Sequence, residues 1–330
     1  MKVYWLANIS KYRTEIMGWA ILGVMLAHVK TICEFPDTLI NKILGVLCYS
    51  VFTGGFLLLS GLGLYNSMHY DNNIKRFYRK RLQRLLVPYW IISIPYFIYT
   101  DMVVGENVSS FLGHVSTLSF WLHGNYSGMW YVSVSVVLYA IFPLYYRCIF
   151  SGNGNYNHKM VLKTLLILLM LAIAKFLLIE NVYWYYEKIG IAIGGTALFV
   201  VGSLLMSRII TKKVLLSKIE IVEMAIVGGA VSFICGISGI MNILSIIILA
   251  LIFPMMKDSK LQISQFVIKF FKWLGKYTLE LYVVHLLCFY LLNVIFCVEH
   301  QGTHIIVGCT VALLICVPVN RIIKLVVARL

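Results

Sequence analysis

His28, Glu280 and His285 are ionisable residues of this 330-residue chain that lie inside apolar segments, where they could carry acid–base chemistry. His28 ends the uncharged, mostly apolar run that begins at Met17, and Glu280 and His285 share a later run. An ionisable side chain in a bilayer core is costly, so each of the three is a candidate functional residue. Glu280 and His285 are five positions apart and point about 140° from each other on one helix, so we expect each to have its own partner on a neighbouring helix.

A cluster of basic residues could bind phosphate groups. Six lysines and arginines fall within residues 75–84, directly before an apolar segment, and the arginines are Arg76, Arg79, Arg81 and Arg84. Such a cluster fixes membrane topology and attracts anionic headgroups by about 1 kcal/mol per residue, which could be its whole role. Arginine forks also suit bidentate phosphate contacts, so a cytoplasmic ligand with several phosphates is the alternative.

Two further segments have both a packing interpretation and a binding interpretation. Gly54 and Gly55 could allow close helix packing or could let a ligand approach the backbone. Trp130, Tyr131 and Ser133 could belong to an aromatic belt at the membrane surface or could contact carbohydrate. The sequence has neither a P-loop nor a G-x-G-x-x-G motif, so it gives no support to an NTPase or a dinucleotide-binding domain.

The composition predicts the elements that position these residues. Hydrophobic residues make up 61% of the chain, charged residues make up 12%, and the mean hydropathy is +0.88. We therefore predict an all-α, polytopic membrane helix bundle that forms one domain over residues 1–330, with no appended soluble domain. A span needs roughly 20 apolar residues. The ten predicted spans are 15–33, 43–66, 84–101, 129–149, 161–180, 188–207, 219–237, 239–256, 276–298 and 303–323.

The net charge of +15 follows the predicted topology. If the N-terminus is cytoplasmic, the 28 basic residues lie on the inner side except for Lys30, Lys42, Lys175 and Lys188. The positive-inside rule then predicts that both termini are cytoplasmic. The expected partner of this charge is the lipid bilayer, not nucleic acid. The eight cysteines form no C-x-x-C pair, so we predict no metal site.

Five segments, in this order, resemble motifs of the integral-membrane acyltransferase-3 family. They are the run ending in His28, Phe52 to Leu64, Arg81 to Arg84 followed by Pro88-Tyr-Trp90, Gly128 to Pro143, and Leu274 to His285. Two positions depart from the family pattern. Met17 stands where members commonly have an arginine, for which Arg13 could substitute. Ser135 stands where many members have a glutamate, and Glu280 could supply that carboxylate.

The resemblance implies an O-acyltransferase, in most cases an O-acetyltransferase, in the bacterial inner (plasma) membrane. Such an enzyme holds no permanent cofactor: it takes an acyl group from cytoplasmic acyl-CoA (acetyl-CoA) and passes it to a glycan or lipid-linked sugar hydroxyl at the outer face, which modifies surface polysaccharide. His28 would be a general base or a transient acyl carrier, assisted by Glu280 and His285. The expected donor-binding residues are Arg13, Arg76, Arg79, Arg81, Arg84, Gly54 and Gly55, and the expected acceptor-binding residues are Trp130, Tyr131 and Ser133.

A transporter or flippase is the competing hypothesis. In that case His28, Glu280 and His285 would form a proton or substrate path through the membrane. Inverted repeats with broken helices would support this alternative, and the sequence shows neither. The sequence identifies no protein partner.

Overall fold

A computed structural model describes residues 5–32, 53–124, 129–150, 156–211, 217–296 and 302–329, together with Thr38, Lys42 and Gly45. Over these ranges the chain is helical and contains no strand, as the sequence predicts. The helices are α1 (Trp5–Lys11), α2 (Arg13–Ile32), α3 (Thr53–Tyr70), α4 (Ile74–Arg81), α5 (Val87–Phe97), α6 (Val108–Val115), α7 (Ser119–His123), α8 (Trp130–Ile149), α9 (His158–Asn181), α10 (Tyr183–Ile210), α11 (Lys218–Cys235), α12 (Ile237–Asp258), α13 (Gln262–Lys276), α14 (Thr278–Phe296) and α15 (Gly302–Val327).

Six helical segments within the described ranges are long and apolar enough to cross a membrane, so this is a multi-pass membrane protein. They are Ile74–Val104, Trp130–Ile149, His158–Asn181, Ile189–Ile210, Ile237–Asp258 and Ile306–Val327. The other four predicted spans do not meet that standard. Glu15, His28 and Lys30 lower the hydropathy of α2, and much of span 43–66 lies outside the described residues. The count of ten spans and the cytoplasmic placement of both termini stay predictions.

The basic cluster and the third predicted span form one 31-residue helical segment, Ile74–Val104. Asn73 caps its start, since its side chain accepts a hydrogen bond from the backbone N–H of Arg76. A wider π-helical turn, Leu82–Leu86, interrupts the α-helix just before Pro88. Proline has no N–H to donate and its ring crowds the preceding turn, so a wider turn fits this position. The arginines are therefore held rigidly at the start of a membrane helix.

Two close helix crossings join the helices that carry the site. A Cβ placed on Gly61 of α3 or on Gly202 of α10 would lie 2.0 or 1.9 Å from a backbone carbonyl oxygen of the other helix. Gly18 of α2 and Gly275 of α13 make an equivalent crossing, with distances of 1.9 and 1.8 Å. Only glycine permits such an approach, which is a common packing device of membrane helices. The crossings fix α2 against α13 and α3 against α10.

The predicted outer segment 102–128 does not extend away from the bundle over its described part. Tyr89 Oη donates a hydrogen bond to the carbonyl of His114 (2.7 Å), and Trp90 Nε1 donates to that of Val115 (3.0 Å). His114 Nδ1 also lies 2.7 Å from Asp101 Oδ2. Tyr89 and Asp101 are separated by about 18 Å of helix rise. Helix α6 therefore folds back along the C-terminal half of the Ile74–Val104 helix.

Candidate functional site

A cavity of about 830 Å³ opens among α1, α2, α3, α8, α13, α14, α15 and the Ile74–Val104 helix. This size is typical of small-molecule and cofactor sites. Six cationic side chains line the cavity, which we call the basic cavity; they are Arg13, Lys80, Arg81, Arg84, Lys276 and Lys324. Among the residues that the structure describes, Glu280 is the one carboxylate in its wall. Such an excess of positive charge suits an anionic ligand.

Arg13 is fixed in the wall of the basic cavity by α3. Its Nε donates a hydrogen bond to the carbonyl oxygen of Leu59 at 3.0 Å. Gly63, one turn further along α3, leaves room for the guanidinium, because a Cβ there would lie 2.9 Å from Arg13 Nη2. Met17 lines the same cavity one helical turn above Arg13. The chain thus places a cation on this helix face although position 17 is apolar.

Two of the four clustered arginines contribute to the basic cavity. Arg81 packs over the Phe77 ring, with its guanidinium carbon 5.2 Å from the ring centroid, and its buried Nε has no hydrogen-bond partner in the described part of the chain. Arg84 is exposed at the wall of the cavity. A buried polar atom without a partner is costly. The Nε atom of Arg81 is therefore available to donate a hydrogen bond to a ligand.

Arg76 and Arg79, which the sequence assigns to the same phosphate site, do not line the basic cavity. Arg76 Nη1 instead forms an ion pair with Asp71 Oδ2 at 3.0 Å, and its side chain is 60% exposed. The hydrogen bond from Arg76, with a second from the Asn73 backbone, lowers the pKa of Asp71 below its ordinary value. Arg76 points away because Asp71 precedes the helix start, and Arg79 is an exposed residue of the same helix.

Glu280 and His285 contact different residues, as predicted from their separation of five positions on one helix. Asn320 Nδ2 of α15 donates a short hydrogen bond to Glu280 Oε1. His285 instead lies beside His28 of α2, with ring centroids 5.3 Å apart. Each of the two residues therefore has a partner on a different neighbouring helix, and they do not form a dyad.

The two histidines form a pair in an aromatic setting. The ring of Phe289 lies 6.3 Å from that of His28 and 5.4 Å from that of His285. His285 is fully buried, and its Nδ1 lies 2.7 Å from the carbonyl oxygen of Leu281. Because a carbonyl only accepts, Nδ1 carries the proton and Nε2 is the basic nitrogen. The Nε2 atom of His285 has no hydrogen-bond partner among the described residues. In contrast to the fully buried His285, His28 is only partly buried.

Two tyrosines separate the basic cavity from the histidine pair. Tyr282 lines the cavity, and its ring centroid lies 6.2 Å from that of His285 and 5.4 Å from that of Tyr131. Tyr131 also lines the cavity, and its hydroxyl lies 3.3 Å from Ser60 Oγ. Tyr282 precedes His285 by three residues, or about 4.5 Å of helix rise. On α14 the last residue that lines the cavity is Tyr282, one helical turn before His285, whereas on α2 it is Met17, eleven residues before His28.

The remaining predicted binding residues lie outside the basic cavity. Gly54 packs α3 against other helices, since a Cβ there would lie 2.6 Å from Leu198 Cδ1, and Gly55 is buried. Trp130 and Ser133 are buried beside Tyr131 but do not line the cavity. The glycines therefore favour the packing interpretation, and of the predicted acceptor residues only Tyr131 reaches the cavity.

Sequence reasoning missed several residues of the cavity wall. Lys80 was part of the recognised basic cluster, whereas Lys276, Lys324, Ser60 and Tyr282 were not singled out as binding residues. Lys276 stands four residues before Glu280, but Tyr277 separates α13 from α14 between them, so this spacing does not place both on one helix face. No group of three His, Cys, Asp or Glu side chains that could hold a metal ion occurs in the described ranges.

Comparison with known proteins covers nearly the whole chain. The family model of the acyltransferase-3 domain matches residues 18–321. Searches of curated proteins and of solved structures gave no match. The matched range begins within α2 and ends within α15, so it includes the histidine pair and most of the basic cavity. The chain belongs to the acyltransferase-3 family and is a membrane acyltransferase.

Proposed function

We propose that this acyltransferase takes an acyl group, most often acetyl, from cytoplasmic acyl-CoA and passes it to a glycan hydroxyl at the outer face of the bacterial inner membrane. The observation that carries the proposal is a basic cavity whose wall on α14 ends at Tyr282, one helical turn before His285 of the histidine pair. One end of this arrangement suits a ligand with several phosphates, and the other suits proton transfer.

The donor end of the site is chemically matched to coenzyme A. Arg13, Arg81 and Arg84 are planar cations, which bind phosphate oxygens in pairs. Arg13 and His28 lie on the same helix about 22 Å apart along its axis. A molecule with its phosphates at Arg13 and a thin thioester arm could therefore extend past Tyr131 and Tyr282 toward His28.

The histidine pair supports acyl transfer by acid–base chemistry. In the direct route, the basic nitrogen of His28 takes the proton from the acceptor hydroxyl while the hydroxyl oxygen attacks the thioester carbonyl carbon. The carbon–sulfur bond breaks, and the CoA thiolate leaves and accepts a proton. Transient acylation of His28, followed by transfer, is the second route that the arrangement permits.

His285 acts on His28 in this proposal as a positioning residue. Its ring is held by the hydrogen bond from Nδ1 to Leu281 O and lies 5.3 Å from the His28 ring, and its basic Nε2 has no hydrogen-bond partner among the described residues. A fully buried ring that is anchored to the backbone cannot turn toward an acceptor while it keeps this bond. The partly exposed His28 is therefore the better candidate for contact with the acceptor.

The test is release of free CoA thiol from acetyl-CoA by the purified protein in detergent, with an acceptor glycan present and without any gradient. His28→Ala should lower the rate by about 10²–10⁴-fold, which is the usual contribution of a positioned base. His158→Ala, which replaces an exposed histidine paired with Glu223 away from the cavity, is the control and should keep the rate. Near-normal turnover by His28→Ala would refute the role of His28. If the wild type does not cleave the thioester of acetyl-CoA, the result would favour the transporter hypothesis instead.

A further inference from the structure

Two lysines at the basic cavity have no part in the function proposed so far. Lys276 ends α13 and Lys324 lies in the last turn of α15, and both are exposed residues of the cavity wall. Neither lysine forms an ion pair with a carboxylate in the part of the chain that the structure describes. Their position and exposure indicate that they lie where the cavity opens to solvent.

The two lysines share the cavity wall with a hydrogen-bonded pair, Glu280 and Asn320. Asn320 of α15 donates to Glu280 of α14, which ties these helices together. Lys324 follows Asn320 by four residues on α15, so the two lie on one face of that helix. Lys276 ends α13, two residues before α14 begins at Thr278. Both lysines line the same cavity as Glu280 and Asn320 and come from two different helices. The arginines Arg13, Arg81 and Arg84 come from α2 and from the Ile74–Val104 helix.

The proposed donor carries two separate phosphate groups that match these two sets of cations. Its diphosphate is attached to the thioester arm, whereas its ribose 3′-phosphate is terminal and remote from that arm. Arg13 shares α2 with His28, so the arginine set lies along the path of the arm and suits the diphosphate. A terminal monophosphate suits compact ammonium groups that stay hydrated near a cavity mouth.

We propose that Lys276 and Lys324 bind the ribose 3′-phosphate of the acyl-CoA donor and make the enzyme select CoA over donors that lack this phosphate. The inference rests on the proposed use of acyl-CoA. It gives the excess of cations in the wall a function, since the diphosphate needs only the arginine set.

The experiment compares acetyl-CoA with acetyl-3′-dephospho-CoA as donors for the purified full-length protein in detergent, by release of the free thiol. The wild type should show a KM for the dephospho donor about tenfold or more above that for acetyl-CoA, as expected for loss of a charge-assisted contact. The double variant Lys276→Gln/Lys324→Gln should have similar KM values for both donors, through a higher KM for acetyl-CoA alone. Its kcat should change little.

Two matched variants control for the loss of surface charge. Lys272 lies one turn before Lys276, and Arg321 lies three residues before Lys324; both are exposed, and neither lines the cavity. Lys272→Gln and Arg321→Gln should therefore keep the wild-type preference between the donors.

Three results would overturn the assignment while leaving the proposed function intact. They are equal use of both donors by the wild type, an unchanged preference in the double lysine variant, or loss of the preference in Arg84→Ala instead. If the wild type neither binds nor turns over acetyl-CoA, the proposed function and this inference both fall. The two failures are therefore distinguishable.

Discussion

Gly63→Ala tests whether the basic cavity depends on the position of the Arg13 guanidinium. A Cβ at position 63 would lie 2.9 Å from Arg13 Nη2 and 3.0 Å from Cζ. Carbon atoms in ordinary contact are about 3.5–4.0 Å apart, so the guanidinium must move by roughly 0.5–1 Å. That movement lengthens the 3.0 Å distance from Arg13 Nε to Leu59 O, which weakens or breaks this hydrogen bond.

The expected effect is on donor binding and not on folding. Arg13 is a flexible side chain and can move without displacing α2 or α3. A hydrogen bond to a charged group contributes about 1.5–3 kcal/mol, which corresponds to roughly 10–100-fold in affinity. Because Gly63→Ala displaces Arg13 without removing it, we expect the lower end: a KM for acetyl-CoA raised about tenfold, with kcat and the thermal midpoint in detergent nearly unchanged.

A double-mutant cycle provides the assay. The KM for acetyl-CoA is measured for the wild type, Gly63→Ala, Arg13→Ala and the double variant, with Gly228→Ala as control because a Cβ there meets nothing within 4 Å. If Gly63 acts through Arg13, Gly63→Ala should not raise the KM for acetyl-CoA any further when Arg13 is already replaced by alanine. An unchanged KM for Gly63→Ala, or additive effects in the double variant, would refute the reasoning.

Three further predictions concern the packing, the histidine pair and the clustered arginines. Gly202→Ala should destabilise the protein by about 1–3 kcal/mol, because its Cβ would lie 1.9 Å from Leu58 O; thermal unfolding in detergent checks this, and a midpoint equal to that of Gly229→Ala would contradict it. His285→Gln should lower kcat about tenfold or more while the KM for acetyl-CoA stays constant, and a change in KM alone would argue against a positioning role. Arg84→Ala should raise the KM for acetyl-CoA, whereas Arg76→Ala, which loses only an exposed ion pair with Asp71, should not; equal effects would mean that phosphate is bound by the whole cluster.

Much of the helical fold could be predicted because the length of an apolar run reports directly on a membrane span. Predicted spans 129–149, 188–207 and 239–256 correspond closely to Trp130–Ile149, Ile189–Ile210 and Ile237–Asp258. The break between predicted spans 219–237 and 239–256 is present at Gly236, whose φ of +67° favours glycine. These features depend on local sequence alone.

The composition of the cavity wall could not be predicted, because it depends on which helices are neighbours. The sequence predicts that the clustered arginines share one binding site. In the structure Asp71 holds Arg76 outside the cavity, whereas Arg81 and Arg84 line it. Lys276 and Lys324 are far apart along the chain, and they share the cavity wall because their helices meet in the folded bundle. The folded-back outer segment is likewise held by side-chain bonds to distant backbone carbonyls, which no hydropathy pattern encodes.

We propose that Arg13 replaces the arginine that the family pattern has at the position of Met17. The two residues are four positions apart, so they lie on one face of α2, and both line the basic cavity. Moving the cation from position 17 to position 13 shifts it by about 6 Å along the helix axis, away from His28. The guanidinium of Arg13 fits against α3 because Gly63 has no side chain there. The carbonyl oxygen of Leu59 accepts a hydrogen bond from Arg13 Nε and so fixes the guanidinium. The departure at Met17 and the glycine at position 63 therefore belong to one arrangement, in which α3 holds in place the cation that α2 provides.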